Sequence, residues 1–122
     1  MNQEEIEAIE NKTGVILPES YKQVMLNYPN ELLGTEAEDF GLLHDVDVII
    51  EENIDIRTNG YFGEAWPEQY FIIGQNGFGD YYVINHELQE FSVKFVCHEE
   101  MTGSTYADNL ADFIRKYLNE IE

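Results

Sequence analysis

The sequence predicts one α+β domain spanning residues 1–122, with a central, mostly antiparallel sheet flanked by two N-terminal helices and one C-terminal helix. Helical patterns occupy both ends of the chain and strand-like runs joined by short turns lie between them, an order typical of α+β domains. A chain of 122 residues suffices for one core. Because 43% of the residues are hydrophobic and 13% aromatic, the chain can bury that core despite a formal net charge of -19.

Two short amphipathic helices are predicted at the N-terminus. In residues 3–13, Ile6 and Ile9 lie one helical turn apart among glutamates, and Gly14 follows as a stop signal. The second helix is expected to begin at residues 17–19, since proline suits a first helical turn and glutamate favours the positive end of the helix dipole. Its apolar stripe, with the spacing i, i+3, i+4 and i+7, consists of Tyr21, Val24, Met25 and Tyr28.

The middle of the chain gives a weaker periodic signal. Residues 41–50 fit short extended segments, or an extended segment followed by a helical turn, and periodicity does not decide between them. The Asn-Gly pair at residues 59–60 marks a turn. The aromatic residues that follow, 61–67, are predicted to form a loop.

Strands are predicted in the second half of the chain: residues 71–73, 80–84 and 91–97, the last two joined by a hairpin over residues 85–90. The last strand alternates with a two-residue period, so Cys97 is expected to be a buried small hydrophobe. The glycine-rich residues 74–79 precede a strand rather than a helix. This position favours a tight connection, braced by Asp80, over a phosphate-binding loop.

A C-terminal helix is predicted over residues 106–121. Thr105 with Asp108 resembles a capping box at its start. Six apolar residues then share one face of the helix: Leu110, Phe113, Ile114, Tyr117, Leu118 and Ile121. This is the clearest amphipathic pattern in the chain.

The charge balance disfavours several kinds of partner. Acidic residues number 25 against six basic ones, and no basic residue lies between Lys22 and Arg57, so we expect no direct binding to nucleic acid or to anionic membranes. No apolar run approaches the roughly 20 residues of a membrane-spanning helix, and the glutamate-rich start lacks an export-signal pattern. Cys97 is the only cysteine, so no internal disulfide can form. We therefore expect a soluble, cytoplasmic protein.

The basic-free interval is the candidate binding surface. The simpler interpretation is that these acids form a solvated surface with no binding role. The other interpretation is that they bind a basic partner, which would give a function to negative charge that otherwise destabilises the folded state. The acidic residues predicted to contact this partner are Glu36, Glu38, Asp39, Asp45, Asp47, Glu51 and Glu52. Tyr61 and Trp66 are candidate aromatic anchors. Packing of their loop over the sheet edge is the favoured alternative for these two rings.

No cofactor, metal site or catalytic residue is predicted. His44, His86 and His98 each stand beside carboxylates in the sequence, but adjacency does not create a convergent ligand set, and no metal-binding motif is present. Carboxylate pairs at a catalytic separation arise by chance among 25 acids. An enzyme is therefore the least favoured class of function.

Three motifs follow one another along the chain: Leu17-Pro18-x-x-Tyr21 at a helix start, Gly77-x-Gly79-Asp80 in a turn between strands, and His98-Glu99 near the end of a later strand. In this order they resemble the SUKH superfamily. A short leading helix and a closing amphipathic helix complete the family order, so the resemblance covers nearly the whole chain. Residues 30–59 depart from the family pattern.

The resemblance implies a non-catalytic role. SUKH proteins are mostly bacterial immunity proteins that neutralise a cognate toxin, commonly a nuclease, and some eukaryotic relatives are regulatory interaction scaffolds. We therefore expect an immunity protein that covers the basic cleft of a toxin domain, with a nuclease as the expected toxin. The alternative is a regulatory protein-protein interaction scaffold without a toxin partner. The sequence predicts no particular oligomeric state.

Overall fold

The protein folds as an antiparallel sheet with helices packed around it. The computed structural model describes residues 1–76, 79–87, 92–97 and 103–121. Its helices are α1 (Gln3–Thr13), α2 (Glu19–Leu26), a short 3-10 helix (Glu36–Glu38), α3 (Val46–Asn59) and α4 (Leu110–Ile121). Its strands are β1 (Tyr70–Gln75), β2 (Tyr81–Asn85), β3 (Val93–Val96) and β4 (Gly103–Ala107), hydrogen-bonded in the order β1-β2-β3-β4. All three strand pairs are antiparallel, which confirms the predicted fold class.

The two N-terminal helices form where the sequence predicts them. The Asn2 side chain accepts a hydrogen bond from the Glu5 backbone N–H, and the Glu5 carboxylate accepts one from the Asn2 N–H, which closes a capping box. Gly14, at φ 73°, ends α1 in the left-handed conformation that glycine tolerates best. Pro18 precedes α2, and Tyr21 and Met25 are buried.

The third helix is the main departure from the predicted architecture. Residues 46–50 belong to α3, a helix of 14 residues, rather than to an extended segment or a single turn. Asp45 Oδ1 accepts hydrogen bonds from the Asp47 and Val48 N–H groups at 2.9 and 3.2 Å, and this cap satisfies donors that a helix start leaves open. The prediction of two helices before the sheet therefore omitted a third.

Helix α3 is attached to the free edge of β1 by a buried asparagine. Asn53 Nδ2 donates to the Ile72 carbonyl at 3.1 Å, and Asn53 Oδ1 accepts from the Ile72 N–H at 2.8 Å. Further along the same edge, Leu43 N–H donates to the Ile73 carbonyl, and Gln75 N–H donates to the Phe40 carbonyl. The polar groups of this edge strand are thus bonded within the chain, which removes a template for strand addition.

The approach of residues 40–43 to β1 is close enough to require glycine. A Cβ on Gly74 would lie 1.8 Å from the Gly41 carbonyl oxygen, and a Cβ on Gly41 would lie 2.4 Å from the Tyr117 ring. Real Cβ atoms do not reach such distances, so a side chain at position 74 would require backbone movement, and one at position 41 would require the buried Tyr117 ring to move.

The sheet is covered on both faces. Neighbouring strand residues point to opposite faces, and Tyr82 packs against Phe113 of α4 with ring centroids 5.1 Å apart. Tyr81 instead faces the aromatic loop, with its ring 5.6 Å from that of Tyr61 and 5.9 Å from that of Trp66. The aromatic loop therefore lies on the opposite side of the sheet from α4.

The C-terminal boundaries differ from the prediction. Thr105 pairs with Lys94 within the sheet, so residues 103–107 form β4 and do not cap a helix. The cap of α4 is Asn109, whose Oδ1 accepts from the Asp112 N–H at 2.8 Å. Strand pairing outweighed the local Thr-Asp capping signal here.

The remaining predicted features lie partly outside the described residues. Asp80 braces its turn as predicted, since Asn76 Nδ2 donates to Asp80 Oδ2 at 2.8 Å. Cys97 is half-buried, not fully buried, and lies just beyond the end of β3, whose pairing with β4 has a register irregularity between Val93 and Lys94. Outside the described residues lie Gly77, Phe78, most of the predicted hairpin turn (residues 88–90), Phe91 and the His98-Glu99 pair.

Candidate partner-binding surface

The outer side of α3 carries the candidate surface. Asp47, Glu51 and Asp55 are exposed and follow one another at four-residue spacing, so they lie along one side of the helix over about 12 Å. Glu52 is half-buried, and Ile54 between the acids is 41% exposed. We call this set, Asp47, Glu51, Glu52, Ile54 and Asp55, the acidic face of α3.

The acidic face has an apolar centre. A shallow groove of about 550 Å³ runs beside Ile54 and is lined by Ile50, Glu51, Glu52, Ile54, Asp55, Thr58 and Asn59. Carboxylates around a partly exposed aliphatic side chain form a charged rim and an apolar middle, the arrangement common at protein interfaces. The Asp55 carboxylate accepts a hydrogen bond from Asn59 Nδ2 within the same helix.

The charges of this face are not neutralised by basic side chains of α3. The single basic residue of the helix is Arg57, whose Nη2 donates to the Tyr70 carbonyl at 3.1 Å and contacts the Glu68 carbonyl at 3.4 Å. In the described ranges, the ion pairs are Lys22 with Glu10 and Arg115 with Asp112, and neither involves α3. The negative potential of the face is therefore directed at solvent.

Glu52 is the position where the acidic face meets the sheet. Partial burial raises the pKa of its carboxyl, the nearby Asp55 and Glu51 charges act in the same direction, and a hydrogen bond with Tyr81 opposes them. A carboxylate that is both half-desolvated and surrounded by like charge is stabilised by an approaching cation. The local electrostatics thus favour a positively charged ligand.

Helix α1 extends this helical layer. The Met1 amino group lies 3.5 Å from His44 Nε2 just before α3. At the other end, residues 13–15 and 57–60 line one open groove of about 660 Å³. The two helices therefore run side by side in the same direction. Exposed Glu4 and Glu7 of α1 add negative charge to the layer.

The predicted acids do not all gather in one place. Asp47, Glu51 and Glu52 lie on α3, with Asp45 exposed at its cap. Glu36 lies instead beside Tyr117 of α4, where its charge contributes to a raised tyrosine pKa after the larger effect of burial. Glu38 and Asp39 are close to Glu36 in the chain. Asp39 is exposed near the end of β1, where its backbone carbonyl accepts a hydrogen bond from Gln75 Nε2. The Glu38 side chain lies outside the described part of the structure.

The aromatic loop is mostly packed inside. Tyr61 and Trp66 are 5% and 6% exposed, and their polar atoms donate hydrogen bonds to the carbonyls of Gly79 and Tyr70 respectively. Both rings are therefore largely packed, as the packing alternative expects, and they line a small pocket of about 250 Å³. Their role as anchors stays a prediction. Phe62, in the same aromatic loop, is 63% exposed.

Sequence reasoning also missed two members of the acidic face. Ile54 and Asp55 were not among the predicted contacts, because residues 46–50 were not assigned to a long helix. Once α3 is known, the i, i+4, i+8 spacing of Asp47, Glu51 and Asp55 identifies the face directly.

The histidines take part in other contacts. The His44 ring stacks on Tyr28 with centroids 4.1 Å apart, and His86 Nε2 lies 2.7 Å from the Glu68 carbonyl oxygen. His98 lies outside the described residues. Among the residues that the structure describes, no three His, Cys, Asp or Glu side chains form a group that could hold a metal ion. Likewise, no described helix is long and apolar enough to cross a membrane.

Fold and surface together define a small, strongly anionic α+β domain with an uncompensated acidic helical face. The model of the SMI1 / KNR4 family (SUKH-1) matches residues 1–116, and the chain belongs to this family. This match confirms the resemblance in the sequence motifs. Members of the family are generally immunity proteins rather than enzymes. The searches of curated proteins and of solved structures returned no match to the chain.

Proposed function

We propose that this protein is an immunity protein that binds a basic cognate toxin domain, a nuclease, through the acidic face of α3. The observation that carries the proposal is the row of exposed carboxylates at Asp47, Glu51 and Asp55, with the one basic residue of the helix turned to backbone carbonyls. Family membership supports the immunity role. The acidic face supports the basic character of the partner.

The proposed mechanism is occupancy of a nucleic-acid cleft. A nuclease holds phosphates with Lys and Arg side chains, and the carboxylates of α3 would take the place of those phosphates. Long-range attraction would accelerate encounter, while the partly exposed Ile54 would contribute apolar contact after docking. We place this interaction in the cytoplasm, where the nuclease would meet nucleic acid.

Charge reversal on two surfaces tests the proposal. E51K/D55K changes the acidic face, and E31K/D108K makes the same net charge change at exposed acids outside α3. Association with the purified toxin domain encoded beside the gene is measured by stopped-flow or surface plasmon resonance at several salt concentrations. We expect E51K/D55K to slow association by about tenfold or more and to reduce the salt dependence, because steering acts on the on-rate.

The control pair should change association only slightly, since exposed charges further away are screened over roughly 8 Å at physiological salt. Equal effects of both double variants would show that net charge, not the acidic face of α3, governs binding. A complex with no salt dependence would instead favour an interaction scaffold. Survival of cells that express the toxin domain with each variant gives the matching biological readout.

A further inference from the structure

A small pocket lies between the aromatic loop and the sheet. The residues that line it include three aromatic ones, Tyr61, Trp66 and Tyr70, together with Val96 of β3. Its volume is about 250 Å³, below the roughly 300–1,000 Å³ that is typical of sites for drug-sized ligands. The pocket therefore fits one compact group, such as the end of a single side chain. We call it the aromatic pocket.

The three rings of the aromatic pocket are held in place and differ in orientation. The Trp66 ring meets the Tyr61 ring at 81° and the Tyr70 ring at 70°, with centroids 5.4 and 6.0 Å apart. The Tyr61 hydroxyl donates to the Gly79 carbonyl at 2.6 Å, and Trp66 Nε1 donates to the Tyr70 carbonyl at 3.1 Å. Because these hydrogen bonds already order the side chains, binding would immobilise few further groups.

The charges around the aromatic pocket are acidic. Glu64 is exposed and lines the pocket, and the described lining contains no basic residue. Tyr81 packs against the rings of the aromatic loop, and its pKa is raised by burial, with the charges of Glu52 and Asp55 acting in the same direction. Arg57, the basic residue of α3, lines the neighbouring open groove instead. The pocket thus adjoins the acidic face of α3 and shares its negative potential.

We propose that the aromatic pocket binds the ammonium group of a lysine side chain supplied by the partner. This inference rests on the proposed function, because it assigns a ligand chemistry to the same basic partner. Aromatic faces attract cations. Walls at large angles to one another surround a compact ammonium group, whereas a planar guanidinium group stacks on a single face. The Glu64 carboxylate would offer a charge-assisted hydrogen bond in place of the water that the ammonium group loses.

Three blocked amino acids test the ligand chemistry without the toxin. The Nα-acetyl methylamides of lysine, norleucine and arginine carry an ammonium group, no charge and a guanidinium group on similar side chains. Trp66 is the single tryptophan of the chain, so its fluorescence and the NMR signal of its indole N–H report on the pocket. We expect the lysine compound to bind about two- to thirtyfold more tightly than the norleucine compound, the range of exposed to desolvated cation–π contacts.

Each other result with the wild-type protein would overturn the inference. Equal affinity for the lysine and norleucine compounds would identify an apolar pocket without a cation preference. Tighter binding of the arginine compound would assign the wrong cation. A Trp66 signal that does not change in a saturable way with the lysine compound would show that the pocket binds no ammonium group.

Matched variants connect the preference to the pocket itself. Tyr70 is the least buried of the three rings, and Y70L should reduce the preference for lysine over norleucine at least about twofold, while Y70F should retain it. E64Q should also reduce the preference. E68Q, which changes an exposed glutamate of the neighbouring groove, should not. The preference is a ratio of two affinities of one variant, so a loss of stability does not imitate its loss. An unchanged preference in Y70L would overturn the inference.

The complex with the toxin domain separates this inference from the proposed function. Y70L should speed dissociation by about twofold or more, because it removes a contact made after docking, whereas E51K/D55K slows association. If dissociation is unchanged in Y70L while E51K/D55K slows association, the acidic face of α3 stands and the inference on the pocket falls. If Y70L speeds dissociation and E51K/D55K has no effect, the pocket stands and the proposed use of α3 falls.

Discussion

Removal of the Asn53 side-chain amide should destabilise the protein more than any surface change. Asn53 is fully buried and makes three hydrogen bonds: Nδ2 to the Ile49 carbonyl at 2.9 Å, Nδ2 to the Ile72 carbonyl at 3.1 Å, and Oδ1 from the Ile72 N–H at 2.8 Å. In N53A, the N–H and carbonyl of Ile72 lose this partner inside the protein. A buried polar group left without a partner costs about 1–3 kcal/mol, so two such groups cost about 2–6 kcal/mol.

That loss is large against a total stability of about 5–15 kcal/mol for a domain. Urea unfolding followed by circular dichroism measures it: with a slope of about 1–3 kcal/mol/M, a loss of 3 kcal/mol lowers the midpoint by about 1 M or more. N53D should lose at least as much, because an oxygen would replace the donor that faces the Ile49 and Ile72 carbonyls. The control is N27A, since Asn27 is exposed and its amide bonds only the Gln23 carbonyl among the described contacts.

Hydrogen exchange gives an independent check at one amide. The Ile72 N–H is protected by Asn53 Oδ1 on the free edge of β1, and in N53A it should exchange much faster while the amides between β1 and β2 change less. A loss of stability below 1 kcal/mol in N53A, with Ile72 still protected, would refute this account of how α3 is attached to the sheet.

Two further changes test the aromatic core. Tyr21 is 1% exposed, and its hydroxyl has no hydrogen-bond partner among the described residues. In thermal melts, Y21F should therefore leave the free energy of unfolding unchanged or raise it by about 1 kcal/mol. A loss above about 1 kcal/mol would reveal a hydrogen bond to that hydroxyl. Burial, with smaller contributions from Glu120 and Tyr117, raises the pKa of Tyr82 from 10.0 to about 12. The pKa of Tyr82 is higher in the folded state than in the unfolded state, so its contribution to the free energy of unfolding is complete below pH 10 and is lost as the pH rises toward 12. The urea midpoint of the wild-type protein should therefore fall between pH 10 and 12, and that of Y82F should fall less steeply.

The parts of the fold that the sequence predicted correctly are those with two agreeing local signals. Helix α1 was predicted from an apolar spacing of one turn and a terminal glycine, which indicate the same element, and the structure adds a capping box at its start. In α3 the signals disagree, because Val46, Val48, Ile49 and Ile50 are β-branched and favour a strand, while Asp45 caps a helix. Tertiary packing of Ile49, Asn53 and Ile56 against α1 and β1 decides the outcome, and a single sequence does not display those contacts.

The candidate site was predicted in charge but not in shape. The interval free of basic residues identifies an acidic segment from composition alone, and its role in binding stays a prediction. Which acids share a surface depends on helix register, so Asp55 was missed and Glu36 was grouped with residues that lie away from it. In the aromatic loop, three neighbouring rings differ in exposure because the turn reverses the chain between Tyr61 and Glu64, and no periodicity describes that reversal.

The acidic face of α3 is unfavourable for the isolated chain at Glu52. Partial burial raises the pKa of this carboxyl, and the nearby charges of Asp55 and Glu51 act in the same direction. A positive charge placed beside Glu52 would offset both effects, because it stabilises the ionised carboxylate. A local cost that a cation would relieve is what the proposed recognition of a basic partner requires, and charge reversal at Glu51 and Asp55 tests that requirement.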